Sequence, residues 1–468
     1  MATPIEALRQ VWAASGMQAD ALEDVTLTGA DPVLPSSFAL GTAAQASVAA
    51  GALAAATLGR MRGLPRQGVA VDMRHAATEF HSEGWLQVDG VPSPEAWDRV
   101  AGTYPCGDGR FVRLHTNFPH HRDGVLRLVG CAHEREAVRE ALQAWQAFAF
   151  EDAAAEAGLC VTAMRRFDEW DAHPQGRAVQ AEPLIGFERI GDAAARGLPR
   201  ADRPLSGVRV LDLTRVIAGP VCGRTLAAHG ADVLLITAPH LPNIPPLVID
   251  TGRGKLSTHL DLRDAAARAT LRGLLAEADV MVQGYRPGAI AGHGFGPTEA
   301  AAIRPGIVYV SLCAYGYSGP WRDRRGFDSL VQTASGFNAA EAKAAGQPGP
   351  KPLPVQALDH ASGHLLALGA MAGLYRRAKE GGSWHVRVSL ARTGHWVRGL
   401  GRVPGGLARA APTRADIAPF LEESDSGFGR LSGVRHAAML AATPARWDRP
   451  SVPPGTHAPC WPPLSAGR

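Results

Sequence analysis

Between residues 205 and 315 short apolar, β-branched runs recur at 208–213, 231–236, 280–282 and 307–312, with amphipathic stretches such as 264–278 in the intervals. Runs of four to eight such residues read as strands, and strands alternating with helices of this length make βαβ units with a parallel sheet. The segment therefore predicts a doubly wound, Rossmann-like layer that binds ligands at the carboxyl ends of its strands. Ahead of it, 196–203 is rich in Arg and Pro and reads as a linker. Behind it, the alternating prolines Pro348, Pro350, Pro352 and Pro354 forbid a helix and deliver an extended chain to a helix beginning near Asp359.

An uncharged stretch from Phe38 to Gly59 is mostly Ala, interrupted by Thr42, Gln45, Ser47 and Thr57. It is too poor in Leu, Ile and Val for a bilayer span and predicts a tightly packed buried helix. This helix takes part in an internal echo. Residues 43–83 run as small-residue helix, basic cap, turn and strand (68–73), and 361–398 repeat that order with a strand at 385–390. In this register Thr42 falls at about the place of Asp359.

Hydrophobic residues at 46% and charged residues at 20% are the balance of a folded globular chain, and 468 residues predict two or three domains with a cleft between them. A net charge of +4, with no long basic run, gives no nucleic-acid footprint. The six cysteines are scattered with no C-x-x-C pair, which argues against a zinc site or a disulfide scaffold and for a reducing, cytoplasmic setting. The first residues show no basic and apolar leader pattern. Signatures of serine hydrolases, zincins, P-loops and dinucleotide folds are absent.

The motifs narrow the function. Leu205-Ser-Gly-Val-Arg-Val-Leu-Asp-Leu213, the turn Ala218-Gly219-Pro220, Gly230-Ala-Asp-Val233, Arg253-Gly-Lys255, Tyr285-Arg-Pro-Gly288, Gly326-Phe-Asp328 and Asp359 follow one another over nearly 190 residues. In order and spacing this resembles the class III CoA-transferase family (CaiB/BaiF, the formyl-CoA transferase and carnitine-CoA transferase type). The resemblance implies an α/β fold, a Rossmann-like parallel sheet domain plus a smaller α+β domain. It also implies an acyl-CoA:carboxylate CoA-transferase working through mixed-anhydride and aspartyl-CoA intermediates, with Asp359 as nucleophile.

On that reading coenzyme A thioester is the substrate, no cofactor is bound permanently, and no metal, nucleic acid or membrane is engaged. Ala218 and Gly219 at a helix start, with the cations Arg253, Lys255 and Arg286 and with His293, are the expected coenzyme A contacts. The start of its helix is expected to hold Asp359 ionised. The expected domains are a helical segment at 1–85, the small domain at 86–195, the Rossmann-like domain at 204–400 and an extended tail at 401–468. The small domain thus precedes the nucleotide-binding half, where the family has it after. An interlocked homodimer is expected from the same resemblance.

Departures from the family pattern also carry information. Racemases of the family have a proton-exchanging His where this chain has Phe327. His293 stands where many transferases have a second Arg, Thr237 replaces a frequent Glu, and no glycine run matches the loop that covers the aspartyl intermediate. A CoA-thioester isomerase or racemase variant, or a non-catalytic CoA-binding subunit, are the alternative readings. His115, His120 and His121 lack metal-ligand spacing and read as surface residues; Trp145 and Trp170 read as packing.

Overall fold

A computed structural model describes residues 1–94 and 96–463. The predicted strands assemble into a seven-stranded sheet ordered 255–259, 232–237, 209–213, 280–283, 308–313, 383–389 and 186–191. All neighbours are parallel except the edge strand Gly186–Gly191, which runs antiparallel to Ser383–Ser389. Arg209–Leu213 pairs with Asp232–Thr237 on one side and Val280–Gln283 on the other. The chain thus leaves the central strand in opposite directions, and a crevice opens at the carboxyl ends of Leu213 and Gln283. The fold class is α/β, as the pattern predicts. Lys255–His259 also belongs to this sheet, a strand outside the four apolar runs.

The alanine-rich stretch folds as the helix Leu40–Met61, buried over nearly its whole length. It lies against the helix Ala357–Glu380, and one apolar cluster joins Leu8, Trp12 and Leu53 of the first segment to Leu365, Met371 and Trp396 of the last. Segment 1–85 is therefore part of the main body's core. The two helices start alike: Ala39 has φ −76° and ψ 62°, and Gln356 has φ −77° and ψ 63°. Each is followed by a short strand, Val69–Asp72 and Ser383–Ser389.

The small unit has its own core around Tyr104, Val112, Leu142 and Phe150, covering the three-stranded sheet of 102–105, 111–114 and 161–163. Its expected limits shift at both ends. Gln87–Val88 pairs with Gly429–Val434, and Gly186–Gly191 joins the large sheet. The expected extended tail contains strands: Leu421–Ser426 pairs with Gly429–Val434, and Ala438–Leu440 adds to Val69–Asp72. Among the described residues no helix is long and apolar enough to cross a membrane.

Candidate active site

A cavity of about 440 Å³ opens at the sheet's crevice, walled on one side by the large unit and on the other by Phe118, His120 and His121 of the small unit. The Pro-rich connection places Asp359 on the first turn of the helix Ala357–Glu380, and its side chain lies 7% exposed at the cavity wall. Opposite lies the turn at Val216, Ile217 and Ala218, which starts the helix Ala218–Ala228. Val216 has φ +74°, a strained conformation for a β-branched residue that costs on the order of 1–3 kcal/mol.

Two glycines permit this approach. A Cβ on Gly363 would lie 2.7 Å from the Ala218 carbonyl oxygen, so Gly363 lets the Asp359 helix reach the turn. A Cβ on Gly219 would lie 2.4 Å from Thr214 Cβ. Ala218 therefore lines the cavity and Gly219 supports it from behind.

The cavity's charge is one-sided. Arg215, Arg286, Arg324 and Arg325 line it, with His120, His121 and His240, and Asp359 is the one carboxylate among its described lining residues. Arg215 donates to the Pro242 carbonyl and lies 4.7 Å over the Phe118 ring. Arg324 is paired with Asp152 at 3.1 Å. The apolar part of the wall is Ile217, Leu312, Ala314, Phe327 and Leu390. A second groove of about 190 Å³, lined by His293, Thr237, Asp261 and Arg263, continues from the first and shares Tyr285 and His240 with it.

Of the expected coenzyme A contacts, Ala218 and Arg286 thus reach the main cavity and His293 the adjoining groove. Arg253 and Lys255 do not. Lys255 is 1% exposed and donates to Asp212 Oδ2 and to the Pro220 carbonyl, both at 2.8 Å. Arg253 is buried against Asp250 and the Val434 carbonyl, its guanidinium 4.2 Å over the Trp447 ring. Both are structural ion pairs, because a charge so deep is tolerated only with its partner in place.

The helix start also differs from expectation. Asp328 Oδ2 accepts the backbone N–H groups of Leu358 (2.7 Å) and Asp359 (2.9 Å). Those amides are therefore spent on Asp328. Burial, then the Asp328 charge and then that of Glu83, raise the Asp359 carboxyl well above the usual carboxylate range. Burial raises Asp328 as well. Glu83 receives His360 Nε2 at 3.0 Å. Burial opposes its charge, but His360 and His81 outweigh burial and hold its carboxyl low.

The histidines of the small unit are not surface residues as a group. His115 and His121 are buried, and only His120 is exposed. Burial, aided by His120, Arg325 and Arg215, pushes the His121 imidazole down to about 3, so it is neutral at physiological pH. Sequence reading missed His120, His121, Arg215, Arg324 and Arg325. Their common signal is only that each lies within a few residues of a strand or helix end. Among the described residues no cluster of His, Cys, Asp or Glu could hold a metal ion.

Residues 205–401 match the family model of CoA-transferase family III, and this segment is similar to that family. It is similar to an acyl-CoA transferase of Gibberella moniliformis, 30% identical over 365 residues, or 68% of this chain and 63% of that one. It is also similar to a probable fatty acyl-CoA transferase of Mycobacterium tuberculosis, Rv3272, 35% identical over 201 residues, covering 40% of this chain and 50% of that protein. The crystal structure of Rv3272 superposes with a TM-score of 0.39, covering 42% of this chain and 59% of that chain at 32% identity. A CaiB/BaiF family protein from Brucella suis gives 0.38 at 26% identity, covering 49% and 65%. The chain spans less than two thirds of the length of each of these relatives.

Proposed function

We propose that the chain is an acyl-CoA:carboxylate CoA-transferase with Asp359 as nucleophile. One observation carries the reading: among the described residues a single carboxylate stands in the wall of a cleft lined otherwise by arginines, imidazoles and mainly apolar side chains. Such a cleft suits the phosphates of coenzyme A at Arg286, Arg215 and His240, with the adjoining groove at His293 for the rest of the nucleotide. Similarity to the mouse succinyl-CoA:glutarate CoA-transferase, 34% identical over 220 residues, or 42% of this chain and 50% of that one, supports the same class of reaction.

In the proposed reaction an Asp359 oxygen attacks the thioester carbonyl carbon, and the C–S bond breaks to give a mixed anhydride and coenzyme A thiolate. The thiolate then attacks the aspartyl carbonyl, releasing the first carboxylate and leaving an aspartyl-CoA thioester. An acceptor carboxylate repeats the two exchanges in reverse and restores Asp359. No co-reactant beyond the acyl-CoA and the acceptor acid is needed. The turn at Val216–Ala218 faces this centre and excludes water from one side.

An interlocked homodimer belongs to the same proposal and is tested by sedimentation. The unpaired cysteines suit a reducing cytoplasm. The test of function is direct. Purified protein is given succinyl-CoA or acetyl-CoA with a panel of carboxylic acids, and new CoA thioesters are measured. A digest quenched during turnover should carry coenzyme A, or a hydroxylamine-trapped adduct, on the Asp359 peptide, and Asp359→Ala should lose transfer while still binding coenzyme A. Turnover with an unmodified Asp359 peptide overturns the mechanism. Coenzyme A binding without transfer to any acid favours the non-catalytic alternative.

A further inference from the structure

We infer that Asp328 is a positioning residue for Asp359, fixing the start of its helix and setting a like charge beside the reacting carboxylate. The inference rests on the proposal that Asp359 is the nucleophile.

The internal repeat separates the two roles. At the start of the helix Leu40–Met61, Asp31 accepts the backbone N–H groups of Gly41 (3.1 Å) and Thr42 (2.8 Å). These amides hold the same places as those of Leu358 and Asp359, which Asp328 accepts. Neither helix has a cap from its own N-cap side chain. Yet Asp31 lies eleven residues before Thr42, and Asp328 lies thirty-one before Asp359. Two carboxylates from unrelated places in the chain thus do one job, which is to satisfy two buried amides that nothing else reaches.

The difference lies in what each carboxylate faces. Asp31 faces Thr42, whose hydroxyl donates to it at 2.8 Å. Asp328 holds the backbone of a second aspartate, and its charge raises that carboxyl. It is held in place by the Gln332 amide, whose oxygen in turn accepts the Leu353 N–H at 2.9 Å, so the Pro-rich connection is clamped to the same group. The other charges around the pair are Glu83, tied to His360 and His81, and Arg113 from the small unit, whose guanidinium lies over the Trp97 ring. Arg215, Arg325 and His121 lie on the cleft side.

A like charge beside a buried carboxylate makes it more basic and so more nucleophilic. It also destabilises the free, ionised enzyme. When Asp359 becomes an anhydride or a thioester its charge disappears and the repulsion with it, so acylation is favoured. A cap alone would do neither of these things.

Asp328→Asn separates cap from charge, because the amide oxygen still accepts backbone N–H groups. With succinyl-CoA as probe, the expected result is an acid limb of kcat/KM moved to lower pH by about one unit or more. The equilibrium fraction of enzyme carrying coenzyme A on Asp359 should fall several-fold. Asp31→Asn, the matching change in the other repeat, should move neither. An Asp328→Asn profile that overlays the wild type, with unchanged label, overturns the inference. Should that variant not fold, aspartate carboxyl ¹³C titration of the wild-type protein decides the matter: two coupled titrations support the pair, and independent ones overturn it. Activity surviving in Asp359→Ala would instead sink the nucleophile reading, so the two failures are distinguishable.

Discussion

The imidazole of His115 lies flat on the phenyl ring of Phe327, with centroids 3.7 Å apart and planes 9° from parallel. Phe327 lines the cavity and His115 is buried behind it. Burial, with Arg113 and His121 adding to it, pushes the His115 imidazole well below its ordinary range. The imidazole nearest the place where family racemases exchange a proton is thus neutral and shielded by a hydrocarbon ring. Incubation of a 2-methylacyl-CoA with the enzyme in heavy water should give negligible α-deuterium by mass spectrometry. Rapid exchange would favour the racemase alternative.

Lys255 and Arg286 should respond in opposite ways to substitution. Lys255→Met leaves Asp212 as an uncompensated buried charge, which costs about 3–5 kcal/mol. Its thermal midpoint should fall by many degrees while coenzyme A affinity of the folded protein holds. Arg286 is exposed at the cavity rim, so Arg286→Ala should leave stability unchanged and weaken coenzyme A binding about tenfold, the worth of one charged hydrogen bond. Calorimetry of both variants checks the pair.

The contrast shows where sequence reading stops. The sheet, the Asp359 helix and the place of Thr42 were legible because each rests on a local signal: β-branched runs, a proline-rich lead and a small-residue helix. Whether a cation is buried or free is not local. Lys255 meets Asp212 across two strands, and Arg253 meets a carbonyl, Val434, that lies 181 residues away. His120 and His121 reach the cleft only because the small unit folds back over the large one. The strand at 421–426 is polar over most of its length, and in 429–434 glycines break up the few apolar positions, so neither carries a clean alternation to read.

Stability should fall as the medium is acidified below about pH 6.5. His115, His229 and His364 are fully buried, and burial lowers all three, His364 to about 3. Their folded proton affinity is depressed below the unfolded value of about 6.5. The unfolded chain therefore gains protons first as pH falls, and stability present above pH 6.5 is lost. Each histidine contributes a slope of about 1.4 kcal/mol per pH unit until its own folded value is reached. Urea midpoints measured from pH 7.5 to 5 should drop steeply below 6.5. A flat profile over that range would mean that these imidazoles are already charged in the folded protein.

Removing residues 1–199 should abolish the soluble fold of the remainder. The helix Leu40–Met61 covers the helix Ala357–Glu380, and Val69–Asp72 supplies the partner strand of Ala438–Leu440. Arg62 donates to the carbonyls of Pro199, Pro204 and Ser206, tying the linker to the first segment. Each leucine-sized side chain left bare by the truncation costs about 1.5–3 kcal/mol, against a total stability of roughly 5–15 kcal/mol for a domain. Several such side chains on the Asp359 helix share a cluster with the first segment, so the loss exceeds what the rest can supply. The small unit's wall of the cleft, with Phe118, His120 and His121, would go as well. Residues 200–468 expressed alone should therefore aggregate, and co-expression with residues 1–199 should restore a soluble complex that transfers coenzyme A. A monodisperse, fully active 200–468 fragment would show that the first segment neither completes the core nor walls the site.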